Sequence, residues 1–365
     1  MAHENRHRIA ILGCVGVPAR YGGFETLADN LARFHADANR PEALSIYCSR
    51  PAYPDQPEVF GKAKLRYSRF RANGASSVVY DAATLRDAIR CGTDVALMLG
   101  VSGAVALPVL ARQGTRIITH VDGLEWRRGK WSRPARAFLR WSEGLAVRHS
   151  DAVIADSPAI ADHLRHDYGV EAEVIAYGGD HASAAPQPPS AAPPDLPEGY
   201  ALALCRIEPE NNVDMILAAF MDAAKPLVFV GNWGDNAYGR ALKARFRNVP
   251  HLRLLDSIYA PGPLFALRQG ASAYIHGHSA GGTNPALVEM MHIGHPILAF
   301  DCVFNRLATQ DAARYFTDTA SLVAALSTPM TAEDGTALQR IAQRDYTWAK
   351  VGAQYFDLFD RLAAR

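Results

Sequence analysis

The stretch His278-Ser-Ala-Gly-Gly-Thr-Asn-Pro-Ala-Leu-Val-Glu289 has the residue types of a phosphate seat. It joins an apolar, strand-like run (Ala273 to His276) to a helical pattern from Pro285 to Ile293. Gly281 and Gly282 allow the backbone to approach a ligand, and Thr283 or Asn284 can cap the new helix. The unpaired N–H groups and dipole of that helix favour an anion. One turn on, Glu289 offers a carboxylate to ribose hydroxyls. A capped loop entering a core helix would use the same residues, so the rest of the chain must distinguish the two.

Three more clusters lie where apolar runs end. In Gly13-Cys-Val-Gly-Val-Pro-Ala-Arg-Tyr-Gly-Gly-Phe-Glu25 a glycine-rich turn leads to Gly22 and Gly23 at the start of a helix. The glycine spacing is not Gly-x-Gly-x-x-Gly, so a dinucleotide fingerprint fits poorly. Backbone N–H groups approaching a diphosphate or an acceptor suit the residues better. Thr119-His120-Val-Asp122-Gly-Leu-Glu125-Trp126 places a histidine where it can donate a hydrogen bond to a sugar hydroxyl or phosphate. The alternative is a structural histidine. Cys205-Arg206-Ile-Glu208-Pro-Glu210-Asn211-Asn212 puts a fixed positive charge at a strand end, suited to a diphosphate, unless Arg206 pairs with Glu208 or Glu210.

Positioning these clusters requires strands whose ends converge. Strands are expected at Arg8 to Val17, Ala43 to Cys48, Ala63 to Phe70, Val95 to Leu99, Arg116 to His120 and Ala152 to Ala155. Helices fit Gly23 to Phe34, Ala82 to Arg90, Ala104 to Arg112, Arg133 to Arg148 and Pro158 to His166, the last with Ser157 as N-cap. The Ala/Pro/Ser-rich segment 181–198 reads as a linker. Alternation then restarts, with strands at Tyr200 to Leu204, Leu227 to Val230, Leu252 to Leu255, Ala273 to His276 and Pro296 to Phe300, and helices including Val213 to Phe220 and Leu287 to Ile293. From Asp345 onward large apolar residues fall at helical spacing. The expectation is an α/β protein with mainly parallel sheets in two tandem domains that enclose a cleft, spanning 1–180 and 199–345, and a final helix over 346–365.

Composition narrows the function. The chain has 365 residues, 49% of them hydrophobic, enough for two domain cores. Its 38 Lys plus Arg against 37 Asp plus Glu argue against a nucleic-acid binder acting through bulk charge. Five cysteines lack any Cys-x-x-Cys spacing, which points away from zinc and disulfides and fits a reducing cytoplasm. Neither a signal peptide nor a transmembrane run is expected, so the protein reads as soluble or attached to a membrane surface.

Five motifs in register resemble the GT-B glycosyltransferases of retaining family 4. They are Gly16 to Thr26, His120 to Trp126, Asp151 to Ser157, Arg206 to Asn212 and Gly281 to Glu289. The nearest likeness is to the bacterial rhamnosyltransferase-like branch, whose N-terminal domain was long of unknown function. The resemblance implies two Rossmann-like domains facing a central cleft, with a C-terminal helix crossing back to the first. It also implies that Gly22 and Gly23 lie against donor phosphates, His120 contacts the transferred sugar, Arg206 neutralises the diphosphate and Glu289 holds the ribose. Two positions depart from the family pattern: Asn211 stands where a Lys is usual, and Gly281 where the first Glu of a pair would be. The branch shares these forms, which reads as an altered donor pocket, with His278, Thr283 and Asn284 as candidates to contact sugar hydroxyls.

The expected reaction is transfer of a hexosyl unit, rhamnosyl among the options, from a nucleotide diphosphate sugar to a hydroxyl of a glycan or lipid-linked glycan. Arg206 and the helix N-terminus near Gly282, Thr283 and Asn284 would stabilise the leaving group without metal or cofactor. Glu25 and Asp122 are candidates for orienting the acceptor. The alternatives are a nucleotide-sugar epimerase of the same fold and a catalytically silent binding partner. Finally, Trp126 to Trp141 is strongly basic with interleaved aromatics, and fits either peripheral contact with the inner face of the cytoplasmic membrane or a solvated helix face.

Overall fold

The computed structural model describes residues 7–20, 22–111, 114–127, 131–185 and 191–365. Several expected features fall partly outside them: the charged N-terminus up to Arg6, Tyr21 of the first glycine-rich loop, Arg112, Arg128 to Lys130 of the basic stretch, and 186–190 of the linker.

The chain divides into two compact units. In the first, buried apolar strands alternate with helices: β1 (Arg8–Leu12), α1 (Gly23–Asp37), β2 (Ala43–Ser49), β3 (Val59–Phe60), β4 (Ala63–Ser68), α2 (Ser77–Arg90), β5 (Val95–Leu99), α3 (Leu107–Leu110), β6 (Arg116–Val121), α4 (Arg133–His149), β7 (Ala152–Ala155), α5 (Pro158–Tyr168) and β8 (Glu173–Val174). The sheet order is β3-β4-β2-β1-β5-β6-β7-β8, parallel except for β3 against β4. Its centre therefore winds outward from β1 in both directions, the doubly wound arrangement whose switch point lies between β1 and β5.

The second unit repeats the scheme with β9 (Ala201–Leu204), α6 (Val213–Ala223), β10 (Leu227–Val230), α7 (Ala237–Phe246), β11 (Leu252–Leu255), α8 (Pro261–Gln269), β12 (Ala273–His276), α9 (Pro285–Ile293), β13 (Ile297–Phe300), α10 (Val303–Thr309), β14 (Arg314–Phe316), α11 (Thr319–Ser327) and α12 (Ala332–Asp345). Its order is β11-β10-β9-β12-β13-β14, all parallel, with the switch between β9 and β12. Strands β9, β10 and β13 are wholly apolar because helices cover both faces of the sheet. The core gathers Phe220, Phe229, Trp233, Phe246 and Phe316, all buried, and Trp233 Nε1 donates to the Leu255 carbonyl at 2.9 Å.

The last helix, α13 (Trp348–Ala363), belongs to the first unit. Its Phe356 packs on Phe34 and His35 of α1, with ring centroids 5.6 Å apart in each pair, and Arg40 reaches across to Asp360 at 2.5 Å.

Some elements differ from expectation, each for a local reason. The first strand ends at Leu12 rather than Val17, because the following backbone is claimed by side chains: Tyr80 Oη donates to the Cys14 carbonyl, and Val15 N–H donates to Glu25. The fourth ends at Ser68 rather than Phe70. The helix expected over Ala104 to Arg112 is a 3-10 segment, Ser102–Ala106, followed by the single turn α3. Pro108 has no N–H to bond Ala104, so one regular α-helix would lose a bond there. Ser157 occupies the N-cap of α5, but its hydroxyl makes no capping bond. Asp180–Ser183, at the start of the expected linker, forms a 3-10 turn against α9.

Phe356 is fully buried where α13 meets α1. Phe356→Ala should cost about 3–5 kcal/mol in the unfolding transition of the first unit, read by urea denaturation. An unchanged midpoint would mean that α13 does not stabilise that unit.

Candidate functional site

In the first unit, the loop Gly13 to Gly22 leaves β1 at the switch point. Helix α1 presents Glu25 and Asp29 to it, one turn apart. Glu25 Oε1 accepts from Val15 N at 2.7 Å and Asp29 Oδ1 from Ala19 N at 2.8 Å, so two loop amides are satisfied by carboxylates. Gly22 has φ of 120° and lies against Glu25, where a Cβ would collide with Oε2. Burial raises the Glu25 pKa, the Val15 amide and its own backbone oppose this, and the charge of Asp122 adds to the rise.

His120, the penultimate residue of β6, lies beside this loop and is 1% exposed. The Phe24 ring meets it edge-on at 5.3 Å and Tyr355 of α13 stacks on it at 6.5 Å. Burial lowers its pKa to about 4, so the imidazole is neutral near pH 7 and offers hydrogen bonds rather than charge. Asp122 Oδ1 accepts from Gly123 N at 2.9 Å. The loop beyond is anchored by Glu143 of α4, which is buried and accepts from Trp126 Nε1 at 3.1 Å and Tyr168 Oη at 2.8 Å, with His163 Nε2 at 3.2 Å. Gly22, Gly23, Glu25, His120 and Asp122 are therefore gathered at one edge of the sheet. Asp29, Tyr355 and Glu143, which sequence reasoning missed, hold that edge together.

In the second unit, two loops flank the switch point, one after β9 and one after β12. They are bonded to each other: Asn212 Nδ2 donates to the Gly277 carbonyl at 2.9 Å, and Ser279 donates through both N and Oγ to the Glu210 carbonyl at 3.0 and 2.8 Å. A Cβ on Gly277 would collide with the Asn211 carbonyl oxygen, which explains glycine there. Asn211 is buried and spends its amide on the Arg206 carbonyl at 2.7 Å. It shapes the loop and carries no charge. The Arg206 guanidinium makes no hydrogen bond or ion pair with any described residue, so the surface pairing with Glu208 or Glu210 is not formed.

Asn284 caps α9, its Oδ1 accepting from Ala286 N at 3.0 Å. Thr283 beside it is buried, whereas Gly282 is half-buried. The His276 and His278 rings stack at 4.4 Å, and burial pushes the His276 pKa down to about 3.

Glu289 is already engaged. Arg268, from the end of α8, donates Nη2 to its Oε2, and His181 Nε2 lies 3.3 Å from Oε1. Burial alone would raise the Glu289 pKa, but Arg268 and His181 outweigh it, and the net shift is downward. Glu289 is thus held as a carboxylate one turn inside the capped end of α9. Neither Arg268 nor His181 was foreseen. Arg268 follows an apolar helical segment and His181 sits in a Pro/Ala/Ser-rich tract, so no spacing marked them.

Residues 6–180 match a family described as a domain of unknown function, DUF1972. No curated protein matches the chain. Among solved structures, sucrose-phosphate synthase (tll1590) from Thermosynechococcus elongatus is similar with a TM-score of 0.80 at 14% identity, over 98% of this chain and 100% of that one. The catalytic domain of starch synthase IV from Arabidopsis thaliana, bound to ADP and acarbose, gives 0.71 at 12% identity over 99% and 100%. Anabaena Alr3699/HepE in complex with UDP gives 0.68 at 14% identity over 97% and 100%. The fold is GT-B. The likeness to these structures extends over 97–99% of this chain.

Two predictions test these environments. As pH falls below about 6.5 the unfolded chain protonates its histidines, whereas folded His120 resists until about pH 4. The unfolded state then holds more protons, so stability falls as pH drops through that window. At pH 5 His120 should account for about 2 kcal/mol of the loss, and urea titrations of His120→Asn should show a correspondingly smaller drop between pH 7 and 5. Equal drops would refute neutral burial. Separately, Arg268→Leu should destabilise the second unit by about 3 kcal/mol by leaving Glu289 under-compensated. The double variant Arg268→Leu/Glu289→Leu should recover most of that in the same assay, and additive losses would contradict a coupled pair.

Proposed function

We propose that the protein is a glycosyltransferase that moves a hexosyl unit from a nucleotide diphosphate sugar to a hydroxyl of a glycan or lipid-linked glycan. The observation that carries this reading is the pairing, at the second unit's switch point, of an unengaged Arg206 with a capped helix N-terminus and a carboxylate inside its first turns. A diphosphate and its developing leaving-group charge call for the first two features, and ribose hydroxyls call for the third. The GT-B fold supports the same reading.

In this reading the diphosphate lies against Arg206 and the α9 N-terminus, with Gly282, Thr283 and Asn284 supplying backbone and side-chain donors. Glu289 accepts from the ribose. The bond from the anomeric carbon to the donor phosphate oxygen breaks, a bond to the acceptor oxygen forms, and the acceptor proton passes to the departing phosphate oxygen. Attack on the same face would retain configuration, as in family 4, and no protein nucleophile is required. Positive potential comes from Arg206 and the helix dipole, so the reaction is proposed to be metal-independent. Gly22 and Gly23 bring backbone N–H groups to the donor, neutral His120 donates a hydrogen bond to the transferred sugar, and Asp122 orients the acceptor. Glu25, already bonded to Val15 N, acts through the shape of the first loop. A 6-deoxyhexosyl donor such as a rhamnosyl nucleotide, a role in polysaccharide assembly and a cytoplasmic site of action complete the proposal.

The test is a thermal-shift screen of UDP, ADP, GDP and dTDP with their sugars, since HepE was solved with UDP and starch synthase IV with ADP. One base series should raise the midpoint by an amount that grows with the logarithm of its excess over Kd. Arg206→Ala should weaken that ligand about 10- to 100-fold through loss of a charged hydrogen bond. Absence of binding at millimolar concentration by the wild type would overturn the transferase reading in favour of a silent partner protein.

A further inference from the structure

The basic aromatic stretch of the first unit is not used by the proposed chemistry, and its geometry is unusual for a solvated surface. At 100° per residue, Arg140, Arg133, Ala137, Trp141, Pro134 and Phe138 of α4 fall within one arc of roughly 160°, and all six are exposed. Trp141 is 56% exposed and Phe138 36%, their rings 6.1 Å apart. Helix α3, which packs on α4, adds Val109 at 72% exposure. Large apolar side chains placed together in water mark a contact surface.

The chemistry of the arc selects the partner. Its arginines lie along one edge and its aromatics along the other, and no acidic residue occurs from Arg133 to Trp141. Arg133 makes no ion pair with a described residue, whereas Arg140 lies over the Trp126 ring at 5.1 Å and 3.8 Å from Asp167. A bilayer surface offers an anionic layer beside an apolar one, and that layering matches the two edges of the arc. No helix among the described residues is long and apolar enough to cross a membrane, so attachment would be superficial.

We infer that the first turns of α4 form a docking surface for an anionic lipid bilayer, with Trp141 and Phe138 entering the headgroup–acyl boundary and Arg133 and Arg140 meeting the phosphates. This goes beyond the transferase reading and stands without it.

The experiment is co-sedimentation of the full chain with phosphatidylcholine vesicles, with and without phosphatidylglycerol, at low and high salt. Wild type should sediment only with phosphatidylglycerol present, and less at high salt. Phe138→Ser/Trp141→Ser should weaken partition by at least roughly tenfold. Arg133→Gln should weaken it about fivefold, the equivalent of about 1 kcal/mol per basic residue. These side chains are exposed, so urea midpoints should match wild type and exclude misfolding as the cause. Trp141 is the most exposed described tryptophan, so a blue shift of fluorescence on adding vesicles should vanish in Trp141→Phe while binding persists. Failure of wild type to sediment, or sedimentation unchanged in the double serine variant, would overturn the inference. Equal sedimentation with pure phosphatidylcholine would overturn its electrostatic half. Loss of self-association in the serine variant, seen by analytical ultracentrifugation without any lipid binding by wild type, would assign the surface to a second copy.

Discussion

Backbone groups that leave a parallel sheet at its carboxyl edge lose their ladder partners, and burying them unpaired would cost about 1–3 kcal/mol each. In this protein, side chains from the flanking elements supply the missing partners. Glu25 and Asp29 take the amides of Val15 and Ala19, Ser142 donates to the Val101 carbonyl at 2.5 Å, and Asn305 donates to the carbonyls of His278 and Phe300 at 2.9 and 2.8 Å. Asp81, buried behind the β5 loop, receives Ser102, and its pKa is pushed up to about 7 by desolvation despite that bond. The loops at both switch points are therefore scaffolded rather than merely connecting. That scaffolding lets candidate ligand groups point outward from a rigid edge.

The same principle separates residues that shape the site from residues left available. Asn211 is consumed by the Arg206 carbonyl, and Glu25 by Val15 N. Arg206 keeps its guanidinium unengaged. Glu289 lies between these cases. It is compensated by Arg268 and His181, which removes the desolvation penalty of a buried carboxylate and keeps it ionised. A ribose approaching Glu289 would meet a charge whose position is already set, which reduces the ordering required on binding.

The two units solve the loop problem by similar means with different residues. In the first, carboxylates of α1 and α4 satisfy amides, an indole and a phenol, so the edge around His120 is rich in buried acid. In the second, an asparagine and a serine tie loop to loop, and the buried Glu289 is paired with Arg268. An uncharged tie beside Arg206 leaves that charge undiminished for an anion, whereas burial beside aromatic rings keeps His120 neutral.

Much of this was legible in the sequence because its causes are local. Apolar runs such as Val95 to Leu99 and Leu227 to Val230 coincide with the observed strands. Asn284 followed by Pro285 announced the start of α9, since a cap and a proline act within one turn. Edge strands β3, β8 and β14, of two or three residues, carried too few residues for any period to register. The exposure of Trp141 against the burial of Trp233 depends on what packs over each helix or loop, which no spacing encodes. The sequence by itself determined the alternation of strand and helix, the glycine-rich turns and the residue types at the strand ends, because these follow from backbone sterics and hydrophobic period. Only the tertiary structure decided that Arg268 and His181 meet Glu289, that Tyr355 stacks on His120 and that Asn211 serves a carbonyl. Those pairings join residues far apart in the chain, and they form because a buried charge or polar group must find a partner wherever the fold brings one near.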